Sequence, residues 1–499
     1  MAGRRISLPV KLAFGFGQLA ESMYLGLFIT FSAIYYNQAI GLSNSLVGLA
    51  TMIAIFADAV SDPIVGSLSD RWRSRLGRRH PFLLIAPIPL GASLYFLFQP
   101  PDFMLVIPAG AQTPDQLPLF LWMAAWTVIG RIFLTFYSVP HLALGAELSD
   151  DYDERSAIFS YNAVFGFFFG ASVGYVAYSF FFAGERVRLS DGAVVPGHLD
   201  PASYGPLMLF AAAAIVIGVY ICAIGTLKEL PHLSKAPPGT KRFSVGGMFS
   251  DITSALSNRH YLSLLVGFFF LSLTIGVGET VGTFMGTFYW ELVPDELRWF
   301  GIAHACGFVL GALSTPFLIA QSEKRLVCVT SITVCAVLIP LTVLGRMLGL
   351  MPANGDALLL PILLVHGAAG AFCLGALNVC VMSMLADVSD QHELESGRRQ
   401  EGMFYSARLF FAKAANSVSH LIAGVALDTF VRFPFGAVPG KVSQDVLFRL
   451  GLVAGPLAAM GAAIAIIFYG KYRLSRTDHA HCREALDRRK AETTAGTAE

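Results

Sequence analysis

The chain has 499 residues, of which 55% are hydrophobic and only 14% are charged, whereas soluble domains carry about 25% charged residues. Its net charge of +1 gives no electrostatic footprint for nucleic acid. The seven cysteines lie mostly in apolar runs with neither metal-ligand nor disulfide spacing, so buried free thiols are predicted. The composition excludes an ordinary soluble protein and indicates an integral membrane protein.

Twelve apolar segments recur along the chain, and each reaches the roughly 20 residues that a helix needs to cross hydrocarbon. Backbone polar groups in a bilayer must be satisfied within each segment, so helices are predicted rather than barrel strands. The first segment is longer than a signal-peptide core and is expected to stay uncleaved. The predicted spans, numbered 1 to 12, run near 10–37, 43–69, 79–99, 118–145, 156–183, 204–227, 260–292, 299–321, 325–349, 355–386, 401–430 and 443–471.

Lysine and arginine residues cluster in alternate loops. They are frequent at the N-terminus, in the loops after spans 2 and 6, and in the C-terminal tail. The loops at 37–45 and 100–117 contain none. Because cytoplasmic loops carry the excess of basic residues, both termini are predicted to be cytoplasmic, which requires an even number of spans.

The chain is predicted to consist of two repeated halves. The proline-containing basic loop at 228–259 separates an N-terminal six-helix bundle at 1–227 from a C-terminal bundle at 260–471, and a cytoplasmic tail at 472–499 follows. The sequence AELSD at the end of span 4 returns as ADVSD, 240 residues later, at the end of span 10. Repeated halves with a site between them are typical of secondary transporters.

Two acids lie inside span 2. Asp58 and Asp62 are four residues apart and so share one helix face. Each charge at a bilayer centre costs about 2.5–3.5 kcal/mol on insertion scales. A bound cation or a proton on one acid would relieve their repulsion. Ser61 offers a hydroxyl, and Pro63 leaves the carbonyl of Ala59 without a helical donor.

The alternative for this acid pair is a structural ion pair with a buried basic residue. Arg131 in span 4, and Arg408 and Lys413 in span 11, are the available partners. The two interpretations are compatible, because a basic residue can compete with a cation for the same acids. Arg131 and Arg408 could instead lie near helix ends and extend their guanidinium groups to the interface. We favour cation or proton coupling, and no metal site other than one for Na+ is predicted.

Four further polar residues interrupt apolar spans. They are Glu21 and Ser22 in span 1, Glu279 in span 7 and Asn378 in span 10. Glu21 should face the same cavity as Asp58 if spans 1 and 2 pack together. For Glu279, a solute or proton contact and an internal hydrogen-bonded acid stay equally open. We include all four among the candidate solute-binding or coupling residues.

Asp70, Arg71, Arg78 and Arg79 form a charged cluster in the loop after span 2. Asp70 is expected at a helix C-terminus, where the helix dipole disfavours an anion, so a basic partner should hold it. The cluster is compatible with a conformational latch and with a simple cytoplasmic anchor. We favour a latch that also acts as an anchor.

Three motifs together resemble a known family. They are D-A-x-x-D-P at 58–63, G-x-x-x-D-R…G-R-R-x-P at 66–81, and D-x-x-D-x-x-E…G-R-R-x-E-G at 387–402, followed by Lys413. The pattern resembles the major facilitator superfamily and, within it, the glycoside–pentoside–hexuronide:cation symporters, to which melibiose permeases belong. The resemblance covers nearly the whole chain.

This resemblance implies an all-α membrane protein with two six-helix bundles, a central cavity and alternating access. It implies coupling to Na+, H+ or Li+ through Asp58 and Asp62. Thr135 matches a further cation-ligand position of the family, so the expected cation site is Asp58, Asp62, Ser61 and Thr135. Lys413 matches the family's lysine in span 11.

The solute half of the family pattern is different in this chain. Melibiose permeases carry a sugar-binding aspartate where Ser22 aligns, with Glu21 beside it, and another where Ser138 stands. Their tryptophan aligns with Leu142, and their arginine of span 5 falls near Asn162. A galactoside is therefore disfavoured, while Ser138 and Arg408 remain candidate solute contacts.

The sequence predicts a secondary active transporter that couples a glycoside or related carbohydrate to Na+ or H+. An alternative cargo is a lysophospholipid or another amphipathic solute, because the same superfamily branch includes lysophospholipid symporters. A membrane-embedded enzyme would need a nucleophile–base or metal constellation within the spans. It is disfavoured, because the sequence contains no HExxH or Walker motif. We expect no cofactor, a monomer in the bacterial inner membrane, and only lipids and a small solute as partners.

Overall fold

The computed structural model describes residues 5–149, 151–188, 192–233, 259–396 and 401–496. Within these ranges, twelve helices are long and apolar enough to cross a membrane, which confirms the twelve predicted spans. Their ends differ from the predicted ends by a few residues, as expected where helix termini fray. The spans comprise Leu8–Ala39, Asn44–Arg71, His80–Leu97, Gln116–Glu147, Asp153–Phe181, Pro201–His232, Arg259–Tyr289, Pro294–Gln321, Lys324–Met347, Leu359–Leu394, Arg408–Val431 and Gln444–Gly470.

Polar side chains begin several spans by capping free backbone N–H groups. Ser43 accepts from the amide of Leu46 before span 2, and Asp115 accepts from the amide of Leu117 before span 4. Spans 1, 5, 7 and 11 share another feature, because each ends in a wider π-helical turn. These turns are Tyr35–Ala39, Ala177–Phe181, Met285–Tyr289 and Ala426–Val431.

Two elements lie outside the spans. An antiparallel hairpin of Glu185–Val187 (β1) and Val194–Pro196 (β2) stands between spans 5 and 6 and pairs Arg186 with Val195. A polar helix, Arg476–Gly496, follows span 12. The hairpin was not predicted, because three-residue strands are too short to show alternation. Of the predicted loop at 228–259, residues 234–258 lie outside the described part of the chain.

The chain forms two compact units that cut across the predicted halves. The first contains Met1–Phe243, Val277–Ile302 and His420–Gly451, so the second parts of spans 7 and 11 belong with spans 1 to 6. The second contains Ser244–Gly276, Ala303–Ser419 and Leu452–Glu499. The division into two six-helix bundles stays a prediction.

In the first unit, span 2 packs along span 4, and span 1 packs against spans 5 and 6. Span 1 also lies close to span 4 at Gly130, where an added Cβ would lie 2.0 Å from the Tyr24 hydroxyl. A side chain at Gly130 would therefore require the buried side chain of Tyr24 to move. Span 1 therefore packs against the face of span 4 that carries Gly130 and Arg131.

In the second unit, spans 8 and 10 approach through glycines. A Cβ at Gly307 would lie 2.1 Å from the carbonyl oxygen of Ala368, and one at Gly311 would lie 2.0 Å from that of Phe372. None of the seven cysteines forms a disulfide. The prediction of buried thiols is confirmed for six of them, whereas Cys306 is exposed.

Candidate cation and solute site

Thr135 joins the two acids of span 2. Its hydroxyl oxygen lies 2.8 Å from Oδ1 of Asp58 and 3.0 Å from Oδ1 of Asp62. The hydroxyl of Ser61 lies 3.2 Å from the hydroxyl oxygen of Thr135. Thr135 is fully buried, and Asp58 is 7% exposed. The structure therefore brings together all four residues that the sequence proposes as cation ligands.

The hydrogen count at Thr135 constrains the charge of this cluster. A threonine hydroxyl carries one proton and can donate to only one of the two carboxylates at a time. The contact with the other carboxylate becomes a hydrogen bond when that acid is protonated, because its O–H then donates to Thr135. A cation among the same oxygens would satisfy them equally, since hard cations prefer oxygen ligands. The geometry suits one added positive charge.

Arg131 of span 4 lies beside this cluster. Its Nη1 is 3.7 Å from Oδ2 of Asp58, and its guanidinium lies 5.4 Å from the ring centroid of Phe28. Arg131 is 8% exposed and sits in the middle of span 4. The alternative of a guanidinium at the membrane interface is therefore wrong for Arg131, and the predicted ion pair is present in this conformation. At 3.7 Å the pair is monodentate and loose, which leaves room for competition by a cation.

A second polar network connects spans 1 and 5. Nε2 of Gln18 donates to Oε2 of Glu21 at 3.0 Å, and Nδ2 of Asn162 donates to Oε1 of Gln18 at 3.1 Å. Ser22 donates to the carbonyl of Gly166 at 3.1 Å. The Oδ1 atom of Asn162 is buried and accepts no hydrogen bond from the described residues. Glu21 and Ser22 thus belong to a site rich in amides and hydroxyls.

Ser138, Asn378 and two basic residues of span 11 were also candidates. Ser138 is half-buried on span 4, one helical turn after Thr135, whereas Asn378 is exposed. Lys413 is half-buried in the second unit. The guanidinium of Arg408, in the same unit, lies 4.5 Å from the ring centroid of Phe268. The solute-binding roles of these four residues stay predictions.

Glu279 of span 7 faces a histidine that the sequence did not single out. Nε2 of His420 lies 3.7 Å from Oε2 of Glu279, and Nδ1 of His420 lies 2.7 Å from the hydroxyl of Thr280. His420 also lines a small cavity with Phe28 and Thr51. Glu279 therefore has an internal partner, as one of its two interpretations required. A histidine in an apolar run of span 11 was the available signal.

The charged cluster after span 2 has the partner that was predicted for Asp70. Arg79 is 5% exposed and its Nη2 contacts Oδ1 of Asp70 at 2.5 Å. Nε of Arg79 donates to Glu147 at the end of span 4 at 2.8 Å, and Nη2 of Arg78 pairs with Glu147 at 2.9 Å. Arg71 is half-buried and is the last residue of span 2, so Asp70 and Arg71 lie on the last turn of the helix and not in the predicted loop. These pairs connect the ends of spans 2 and 4, as a latch requires.

The matching motif after span 10 forms a comparable cluster. Asp387 occupies the position that corresponds to Glu147, and it pairs with Lys324, the first residue of span 9, at 2.7 Å. His479 of the C-terminal helix lies 2.9 Å from Asp390 and 3.4 Å from Asp387. The segment at 397–400, which includes the G-R-R part of the motif, lies outside the described residues.

One sequence match could have favoured an enzyme. Residues 170–174 read G-x-S-x-G, the pattern of a hydrolase nucleophile, which requires a strained strand-to-helix turn. Here the match lies inside the continuous helix of span 5, and Ser172 donates to the carbonyl of Phe169. The described residues also contain no group of three or more histidines, cysteines or acids placed to hold a metal.

Comparisons with known proteins show the family to which the chain is similar. A family model described as MFS/sugar transport protein matches residues 13–476. An uncharacterized symporter of Synechocystis is 23% identical over 98% of this chain and 98% of its own length. The candidate glycoside/cation symporter YagG of Escherichia coli is 23% identical over 84% of this chain and 82% of its own length.

A lipid transporter and a solved structure are also similar to the chain. The sphingosine-1-phosphate transporter MFSD2B of Mus musculus is 24% identical over 93% of this chain and 90% of its own length. The crystal structure of the nucleoside transporter NupG matches with a TM-score of 0.59 at 12% identity, over 93% of this chain and all of that one. At this identity the structural match shows the fold alone. These similar proteins are transporters and not enzymes.

Proposed function

Because the chain belongs to the MFS/sugar transport protein family and is a cation-coupled symporter of the major facilitator type, we propose that it carries a glycoside or related carbohydrate with Na+ or H+. The observation that carries this proposal is the contact of Asp58 and Asp62 with one Thr135 hydroxyl, beside Arg131. Without the added cation, both carboxylates face the single proton of the Thr135 hydroxyl. With it, the cluster is neutralised and the solute site can form.

Coupling follows from the position of this cluster. In alternating access, the cation and the solute must each favour the other's binding, and the effect is reciprocal. Arg131 pairs with Asp58 in the conformation described here, and a cation at the acids would weaken that pair. The guanidinium would then be available to a solute hydroxyl or to another acceptor. Arg131 is the coupling residue in this mechanism, and Ser61 and Thr135 complete the cation ligands.

The network of Gln18, Glu21 and Asn162 supports a polyhydroxylated solute. Amides and carboxylates recognise sugar hydroxyls, because they offer donors and acceptors in fixed directions. The buried Oδ1 of Asn162 is an acceptor that a solute hydroxyl would satisfy. Similarity to a glycoside/cation symporter points the same way.

A lysophospholipid or another amphipathic solute is the second candidate. The similarity to a sphingosine-1-phosphate transporter over 93% of this chain favours it. Such a cargo carries an anionic headgroup, which Arg408 or Lys413 of span 11 would bind in place of sugar hydroxyls. Asn378 and Ser138 would contact either cargo only if they face its path.

Uptake into proteoliposomes tests the proposal. The purified protein is reconstituted and offered a panel of radiolabelled glycosides, monosaccharides and lysolipids, with an imposed Na+ gradient, an imposed pH gradient or neither. We expect a glycoside or related sugar to accumulate only with one of the gradients. Accumulation of a lysolipid alone would establish the second candidate, and gradient-independent equilibration of every solute would contradict coupling. Twelve apolar helices make the chain a multi-pass membrane protein, and we propose a bacterial inner-membrane location with both termini cytoplasmic.

A further inference from the structure

Spans 2 and 11 meet within the first unit, at the end of span 2 opposite the basic loop at 71–79. Span 2 begins there at Asn44 and ends at Arg71, so the two ends are a full helix length apart. The second part of span 11, from His420 onward, packs against this beginning of span 2. If the basic loop is cytoplasmic, as proposed, this contact lies on the outer side of the membrane.

Asp428 of span 11 caps the first turn of span 2. Its Oδ1 accepts from the backbone amide of Asn44 at 3.1 Å and from Nδ2 of Asn44 at 3.0 Å. Its Oδ2 accepts from the backbone amide of Ser45 at 2.7 Å. The first amides of a helix lack internal partners and carry a partial positive charge, so a carboxylate there makes charge-assisted hydrogen bonds. The cap is unusual because it comes from a different helix, 383 residues away along the chain.

The backbones of the two spans are also in direct contact. A Cβ at Gly48 would lie 2.5 Å from the carbonyl oxygen of His420, and one at Gly424 would lie 2.1 Å from that of Asn44. One glycine on each helix therefore permits the approach that the Asp428 cap needs. The separation of the two spans would break the cap and this packing at once.

A third contact fixes the chain just outside the cap. Oε1 of Gln38 accepts from the amide of Ala437 at 2.9 Å, and Nε2 of Gln38 donates to the carbonyl of Pro434 at 3.0 Å. Gln38 is 2% exposed and lies in the π-helical turn of span 1. Span 1 is thus hydrogen-bonded to the loop that follows span 11, and span 2 is hydrogen-bonded to the end of span 11 itself.

We propose that Asp428 is the latch of an outer gate, which holds the beginning of span 2 against span 11 and releases it when the outer side opens. This inference rests on the proposed function, because alternating access requires the solute site to open to each side in turn. Span 2 carries Asp58 and Asp62, so release of its first turn connects the gate mechanically to the cation site. Asp428 is half-buried, and water can therefore replace its partners when the cap breaks.

Ser32 offers a reporter beneath the latch. It is 5% exposed and lines the small cavity that His420, Thr51 and Gly48 also line. A Ser32→Cys substitution keeps the size and places a thiol where a membrane-impermeant maleimide reaches it only after the gate opens. Cys306 is the exposed native thiol, so Cys306→Ala provides the background, and the labelling rate of that background is subtracted.

The test compares the labelling rate of Ser32→Cys with and without Asp428→Asn, in membrane vesicles with the reagent on one side. We expect Asp428→Asn to raise the rate from the side opposite the basic loops about tenfold, because the amide keeps only one of the two acceptor oxygens and its NH2 group would face an N–H donor. Asn44→Ala removes one of three donors and leaves the carboxylate intact, so a smaller increase is expected. Asp102→Asn, which changes an exposed acid of the same unit, is the matched control and should leave the rate unchanged.

Unchanged labelling in both Asp428→Asn and Asn44→Ala would overturn the latch, as would an equal increase in Asp102→Asn. A melting temperature equal to that of the parent shows that faster labelling reflects gate opening rather than unfolding. The measurement uses neither a solute nor an ion gradient. A failed uptake assay would therefore contradict the proposed function without altering the labelling result. Unchanged labelling would contradict the latch without altering the uptake result.

Discussion

Removal of the Thr135 hydroxyl tests the cation site with a minimal change of shape. Thr135→Val replaces the hydroxyl by a methyl group, and Thr135→Ser keeps the hydroxyl. Thr135 is fully buried and contacts an oxygen of each acid within 3.0 Å, so the valine variant loses the donor that joins them. Two carboxylates and one fewer oxygen then face the cation.

The expected loss follows from the hydroxyl oxygen that would ligate the cation. A polar contact with a charged group contributes about 1.5–3 kcal/mol, so its removal corresponds to a roughly 10- to 150-fold weaker affinity for the cation. A cation at 100 times its Kd stabilises the folded protein by about 2.7 kcal/mol. A 30-fold weaker affinity at the same concentration would leave about 0.9 kcal/mol of that stabilisation.

Thermal unfolding of the purified protein measures this loss without knowledge of the solute. Melting temperatures are recorded across a Na+ series balanced with choline, and separately across a pH series without Na+. We expect the melting temperature to rise with the concentration of the coupling ion in the parent and in Thr135→Ser. Most of this rise should disappear in Thr135→Val. The reasoning is refuted if the valine variant keeps the full ion-dependent stabilisation.

Three further predictions follow from the described contacts. Arg131→Gln should destabilise the protein by about 3 kcal/mol because it removes the guanidinium beside the buried carboxylate of Asp58, and addition of Asp58→Asn should restore most of the loss. A double-mutant cycle of melting temperatures that shows simple additivity would contradict the ion pair. Arg79→Gln breaks buried contacts with Asp70 and Glu147 and should also lower the free energy of unfolding by about 3 kcal/mol. Arg73→Gln, which changes an exposed residue of the same loop, should have no effect, and equal melting temperatures of the two variants would refute the latch after span 2. Burial lowers the pKa of His198, in the loop between spans 5 and 6, to about 3 from 6.5, so the stability that its neutral form provides is complete above pH 6.5 and falls as the pH drops toward 3. The loss at pH 5 should be about 2 kcal/mol, and His198→Gln should flatten that part of the pH profile; a parallel profile in the variant would show that His198 is not the cause.

The sequence predicts the helices and the acid pair well because both depend on local features. Apolar runs of sufficient length define the spans, and two acids within such a run are conspicuous against hydrocarbon. Thr135 depended on the family resemblance, since a threonine in an apolar helix has no distinctive signal. Arg131 could be proposed as a partner, but only the packing of span 4 on span 2 distinguishes it from an interfacial arginine.

Features that depend on distant contacts were not predicted. Glu147 is 68 residues from Arg79, and its role was visible only as half of the AELSD and ADVSD repeat. Asp428 reads in sequence as an acid near the end of a span, where interfacial charges are common. Its role as a cap depends on two glycines that let spans 2 and 11 touch. His420 lies in the same contact region and was missed for the same reason.

The most direct test of the central claim separates solute exchange from solute concentration. Asp58→Asn and Asp62→Asn are reconstituted with the solute that the uptake panel identifies, beside Asp102→Asn, an exposed loop acid, as the control. If the two acids of span 2 hold the coupling cation, both variants should lose uphill accumulation of the solute under an ion gradient. Any remaining exchange of solute should be independent of the gradient. Normal gradient-driven accumulation in either variant would contradict the assignment of that acid.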